Sequence, residues 1–237
     1  LSIREFDVVG FSLPYELCAT NVLTMLDLAG IPLPANERGE DDPLIVGGDA
    51  LADSPEPLAD FIDVFLPGDG ENPMRSLVKL LRRAKQDALP REETLLRIAR
   101  EIPGAYVPRF YPPRAHVVRA DLPAQTCGES LRAPGETGEE PVAPDTLRGQ
   151  AGPHYEGYLA PLRDDVPVEF PRACLSSMNE APALRRPLVP LAEAVHERVI
   201  LELMKGCPNA CRFCQAGTTR LPVRWRSVDE LVSIARD

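Results

Sequence analysis

The sequence predicts an α/β protein whose first part is a doubly wound parallel sheet. Three observations carry this. Short apolar runs of strand character alternate with helical stripes over the first ninety or so residues. Two of those runs end in closely spaced glycines, at the strand ends beyond which ligands of such folds bind. Gly30, followed by Pro32, stands where a helix C-cap and stop belong.

Residues 6–13 form an apolar run that suits a buried parallel strand. Residues 16–29 carry Cys18, Val22, Met25, Leu26 and Ala29 at helical spacing, which puts Cys18 in buried packing. Residues 37–42 (Glu-Arg-Gly-Glu-Asp-Asp) read as a solvated charged loop. Residues 44–46 are the next strand, ending in Gly47-Gly48, and residues 61–66 a third, ending in Gly68-Asp69-Gly70-Glu71. These glycines either let the backbone approach a ligand or supply the left-handed conformation of tight turns; both readings stand. Pro73 opens a helix over residues 74–88, with Met74, Leu77, Val78, Leu81, Ala84 and Ala88 on one face.

Residues 101–190 change character: they hold 15 of the 26 prolines and lack periodicity, so they read as a linker or insertion. Short strands are expected at 106–111 and 116–119, and disorder or a long insertion at 121–150. From residue 199 the pattern sharpens. Residues 199–204 read as a strand, and Ser227-x-x-Glu230 is a capping box opening a helix with Val228, Leu231, Val232 and Ile234. The expected organisation is an α/β domain at 1–100, a Pro-rich segment at 101–190 and a further strand–loop–helix unit at 191–237. The chain begins with Leu1 and ends within a helix, so both ends read as cut.

Bulk properties narrow the function. The 237 residues carry a net charge of −10, which argues against broad binding of phosphate backbones. No run reaches the roughly 18 apolar residues of a membrane span. Six cysteines are present, three of them within eight residues, a spacing too tight for a disulfide framework; reduced thiols in the cytoplasm are expected.

Those three, Cys207, Cys211 and Cys214, lie in the loop between the expected strand and helix. Three thiolates can hold three irons of a [4Fe–4S] cluster, whereas protein clusters usually use four. The uncovered iron is then open to the amino and carboxylate groups of S-adenosylmethionine (SAM). One electron from a reduced cluster would break a carbon–sulfur bond of the sulfonium. Other readings remain: a zinc site completed by Cys174 or His196, an electron-transfer cluster closed by Cys174, or a non-catalytic metal-binding fragment.

The run Gly206-Cys207-Pro208-Asn209-Ala210-Cys211-Arg212-Phe213-Cys214 resembles the radical SAM superfamily. Residues 7–13, 20–23, 26–33, 47–48, 55–61, 68–71, 187–190, 195–198 and 214–217 resemble, more narrowly, cobalamin-binding-domain-type radical SAM proteins of unassigned substrate. The resemblance covers residues 3–111 and 183–237. It implies a partial flavodoxin-like domain, then the first strand–loop–helix of a partial TIM-type barrel. It also implies Cys207, Cys211 and Cys214 as cluster ligands, and Phe213 beside the SAM adenine; Phe213 as core or cluster shielding remains open. Hydrogen abstraction from a substrate by a 5′-deoxyadenosyl radical would follow, with SAM and a reducing electron donor as partners. Cobalamin is a further cofactor of such domains, but none of His116, His154 and His196 has the Asp-x-His-x-x-Gly surroundings of its lower ligand. A methylthiotransferase shares the three-cysteine loop, but Cys18, Cys127 and Cys174 lack the order of its second set. Arg224 and Arg226 read as surface arginines or as contacts to an anionic group of SAM or substrate. His196 reads as a structural hydrogen-bonding residue. A chain cut within its barrel is expected not to turn over.

Overall fold

The computed structural model describes residues 2–111, 161–185, 200–209 and 211–236. β1 (Val8–Ser12), β2 (Leu44–Gly48) and β3 (Val64–Leu66) form a parallel sheet in the order β1-β2-β3. Val8 pairs with Leu44 through to Ser12 with Gly48, and Val46 with Val64 through to Gly48 with Leu66. All three strands therefore end on one side of the domain, as the α/β reading requires. α1 (Cys18–Leu28) connects β1 to β2, and two 3₁₀ turns, Ala50–Asp53 and Glu56–Leu58, connect β2 to β3. α2 (Glu71–Gln86) and α3 (Arg91–Glu101) follow. Among the described residues no helix is long and apolar enough to cross a membrane.

The strands are apolar because they are covered. Leu44, Ile45, Val46, Val64, Phe65 and Leu66 are all buried, whereas β1 at the edge is only half covered. The core continues past the third helix. Phe65 and Tyr106 exchange backbone hydrogen bonds of 2.8 and 2.9 Å as an antiparallel bridge. Phe170 then packs edge-on against Tyr106 and Tyr111, at 4.9 and 5.1 Å between ring centres. The Tyr111 hydroxyl donates to the Pro167 carbonyl at 2.7 Å, and burial raises its pKa.

Several local expectations change. α2 starts at Glu71, with Pro73 in its first turn. Its covered line runs through Pro73, Leu77, Leu80 and Ala84; Val78 is exposed, and Ala88 lies beyond the helix at φ 50°. The 3-4 spacing toward the sheet selects Leu80 over Val78. α3 has no counterpart in the expected order, although its buried Leu95, Ile98 and Ala99, continued by Ile102, follow the i, i+3, i+4, i+7 spacing of an amphipathic helix. Residues 106–111 are one bridge and a 3₁₀ turn, Pro108–Phe110, rather than a strand; Pro108 has no N–H with which to extend a ladder. Cys18 is half-buried instead of fully packed. The expectations for 116–119 and 121–150 fall outside the described residues.

The charged loop at 37–42 is not uniformly solvated. Arg38 is 4% exposed. It pairs with Asp63 at 3.0 Å and donates to the carbonyls of Pro32, Leu33 and Phe61 at 2.7–2.9 Å. Asp63 also accepts from Arg91 at 3.0 Å and from the Ile45 N–H at 2.8 Å. Burial lowers the Arg38 pKa, opposed by the neighbouring Asp63. A local charge pattern carries no information about a partner 25 residues away.

Beyond the Pro-rich segment, β4 (Met204–Lys205) and β5 (Arg224–Trp225) form a short antiparallel hairpin, with α4 (Ala216–Thr219) between them and α5 (Val228–Arg236) after. The strand expected at 199–204 is thus shorter among the described residues: 200–203 lie outside it, and Ile200 is exposed. A strand persists only where a neighbour takes up its backbone groups, and here that neighbour is residues 224–225.

Candidate functional site at the carboxyl end of the sheet

The strand ends bring Ser12, Asp49 and residues 68–71 to one side. Asp49 follows β2 at φ 74° and accepts from the Ser12 hydroxyl at 2.9 Å. Gly68 follows β3 at φ 89°, and a Cβ there would collide with the Ala173 backbone. Ala173 N–H donates to the Pro67 carbonyl at 3.0 Å, and Asp69 N–H to the Ala173 carbonyl at 2.8 Å. Gly104, at φ 80°, makes the same kind of room for Pro171. Gly47 instead packs against Leu13 and Phe65, where a Cβ would sit 3.0–3.1 Å away. The close approach that glycine permits at β3 is therefore made by the chain's own residues 171–173.

Basic side chains of the later segments meet the acidic groups at this end. Arg172 pairs with Asp53 at 2.7 Å, Arg220 with Asp49, Arg224 with Asp69 and Lys205 with Glu71. Lys205 also lies 3.6 Å from Asp69. Burial would raise the Asp69 pKa, but the Leu175 N–H at 2.8 Å and the charges of Arg224 and Lys205 outweigh it, and the net shift is downward. For Asp49, burial is likewise overcome by Arg220 and Ser12. Asp53 goes the other way, its burial outweighing Arg172. A cavity of about 360 Å³ lies among these groups, lined in part by Asp49, Asp69, Cys174, Lys205, Gly206 and Arg224.

The cysteine loop leaves this site directly. Gly206, at φ 100°, turns the chain out of β4, where a Cβ would press on the Arg220 carbonyl at 2.6 Å. Cys207 is half-buried, and Cys211 and Cys214 are exposed; all three are free thiols. Cys211 N–H donates to Asn209 O at 2.9 Å and Cys214 N–H to Cys211 O at 3.0 Å, which coils the loop tightly. Among the described residues no three His, Cys, Asp or Glu side chains converge as a metal site. The donors nonetheless suit an iron–sulfur cluster in kind: three accessible thiols on one loop, presentable to one face of a cluster. Cys174 is also free and exposed, with its Sγ 3.1 Å from Arg224 Nη1. Cys127 and His196 lie outside the described residues.

Phe213 is 92% exposed and neither enters the core nor covers the loop in this structure. The two arginines are not surface groups. Arg224 reaches Asp69, and Arg226 is buried, donating to the carbonyls of Ala181 and Glu202. The capping box forms by half: Ser227 Oγ accepts from the Glu230 N–H at 3.3 Å, while the Glu230 carboxylate pairs with Arg185. Asn179 Oδ1 takes the Ser227 N–H instead, at 2.9 Å. The sequence reading includes Asp69 and Glu71 in the turn after the third strand but gives neither a role, and it gives none to Asp49 or to the basic partners Lys205 and Arg220. The one local hint is the placing of a Lys or Arg on each side of the cysteine run.

Residues 1–108 match the family model described as radical SAM proteins, N-terminal. That match supports the radical SAM superfamily, and it falls on the sheet domain, away from the cysteines. Domain and cysteine loop thus point the same way from separate stretches of sequence. No curated protein matches the chain.

A corrin bound in the manner of a doubly wound domain would lie over the carboxyl ends of the strands. There the described residues offer a cavity smaller than a corrin, walled by residues 172–174 and the β4–β5 hairpin. His116, His154 and His196 lie outside the described residues. The described sheet end does not fit cobalamin.

Proposed function

We propose that this chain is part of a radical SAM enzyme in which Cys207, Cys211 and Cys214 hold a [4Fe–4S] cluster. The observation that carries this reading is three free thiols within eight residues on one tight loop. The match of residues 1–108 supports it independently. When bound, such a cluster supplies one electron to the SAM sulfonium, yielding methionine and a 5′-deoxyadenosyl radical that takes hydrogen from a substrate. The chain's own contribution is to present the thiols. The Cys211 and Cys214 N–H bonds coil the loop, and both of these thiols are exposed to a ligand. Phe213, exposed on the same loop, would be free to stack on the adenine. An external reductant is required, and the thiols call for a reducing compartment, the cytoplasm.

Anaerobic reconstitution with iron and sulfide tests this. About four irons and four sulfides per chain are expected, with an EPR signal on reduction that changes when SAM is added. Serine at Cys207, Cys211 or Cys214 should abolish incorporation; alanine at Cys18, Cys127 or Cys174 should not. Stoichiometric zinc without sulfide would reject the reading.

A further inference from the structure

The sheet end and the stems of the cysteine loop are joined by charge pairs between residues more than 130 positions apart in sequence. We propose that the carboxyl end of the sheet is a protein dock whose partner is the chain's own β4–β5 hairpin, with Asp49, Asp69 and Glu71 as positioning residues for the cysteine loop. In a doubly wound domain this edge ordinarily receives a cofactor; here it receives polypeptide.

The geometry supports this at both stems. Lys205 stands two residues before Cys207 and reaches Glu71 and Asp69; Arg220 stands six residues after Cys214 and reaches Asp49. Arg224, on the second strand of the hairpin, meets Asp69 with both side chains only 10% exposed. At such burial a pair is held more strongly than on the surface, and removing one partner strands the other. The stems also brace each other: Arg226 N–H donates to Leu203 O at 2.9 Å, and a Cβ at Gly206 would lie 2.8 Å from Val223 Cα. One stem therefore does not shift without the other, and the loop between them follows the dock. The downward pKa shifts of Asp49 and Asp69 agree with carboxylates kept charged for these partners.

That the positioned thiols serve a cluster rests on the proposed function; the dock itself does not. The test is therefore read on the full, metal-free chain, by hydrogen exchange and by the rate at which a small maleimide labels Cys207. Glu71→Lys and Lys205→Glu should each speed exchange at 204–206 and 220–226 about tenfold and hasten Cys207 labelling, with β2 and β3 unchanged. The double exchange of charge should restore part of the protection, because it remakes the pair with residue 71 while residue 205 then faces Asp69 with like charge. Excess hydroxocobalamin should leave hairpin exchange unaltered. Single variants that leave the hairpin protected, a double variant no better than the singles, or a corrin that binds and frees the hairpin would each overturn the dock. Failure of the wild-type chain to take up iron and sulfide would sink the cluster reading alone.

Discussion

Gly68 and Ala173 run side by side at the end of β3, in a parallel bridge that ties two parts of the chain more than a hundred residues apart. It brings Leu175 N–H onto Asp69 and so helps prepare that carboxylate for Arg224. Gly68→Ala should cost about 1–3 kcal/mol for the left-handed backbone alone. The collision with the Ala173 backbone should add to that and loosen residues 171–175. Urea unfolding together with exchange over 171–175 reads both effects; an unchanged midpoint would show that the bridge does not form in solution.

Asp63 gathers two guanidinium groups and a backbone N–H in the buried layer beside β2. Asp63→Asn should destabilise by about 3–5 kcal/mol, because Arg38 and Arg91 lose their buried counter-charge. Asp7→Asn, which breaks the exposed pair with Lys85, should cost less than about 1 kcal/mol. Denaturant midpoints of the two variants should differ accordingly, and equal shifts would contradict the burial of Arg38.

Acid should release the hairpin. Asp49 and Asp69 titrate below the ordinary 3.8 when docked, so the free state binds more protons on acidification. Their contribution is complete above the unfolded value and is lost as pH falls through the lowered, docked value. Asp53 and Glu56, with raised pKa values, act in the opposite sense and grow more favourable as pH falls. Exchange at 204–226, corrected for intrinsic rates, should therefore stay flat at neutral pH and rise only at the acid end. Asp69→Asn should flatten that rise while weakening the dock at neutral pH.

Phe213 touches little in this structure, so Phe213→Ala should move stability by no more than about 0.5 kcal/mol. Its effect should appear instead as a weaker SAM-induced change in the EPR spectrum of the reconstituted chain. A clear fall in the thermal midpoint would mean that the ring is covered in solution.

What the sequence shows best is what depends on neighbours in the chain. β2 and β3 are legible because burial on both faces demands unbroken apolar runs. The cysteine loop is legible because three ligands to one cluster must lie close together. α3 is legible in the same local way, through Leu95, Ile98, Ala99 and Ile102 at helical spacing, although the sequence reading assigns no helix there, and Pro108 ends the strand expected at 106–111. Arg38, Arg224 and Arg226 look like solvent-facing charges until the fold supplies Asp63, Asp69 and buried carbonyls.

Taken by itself, the sequence determined an α/β domain with parallel strands and a compact set of three thiols, because hydrophobic period and ligand spacing are local properties. Only the tertiary structure decided that the glycine at the end of β3 admits the chain's own Ala173, and that Lys205, Arg220 and Arg224 meet the acids of the sheet end. Such pairings depend on the path of the chain in space. They form where burial leaves a charge no better partner, and no local pattern of residues encodes that path.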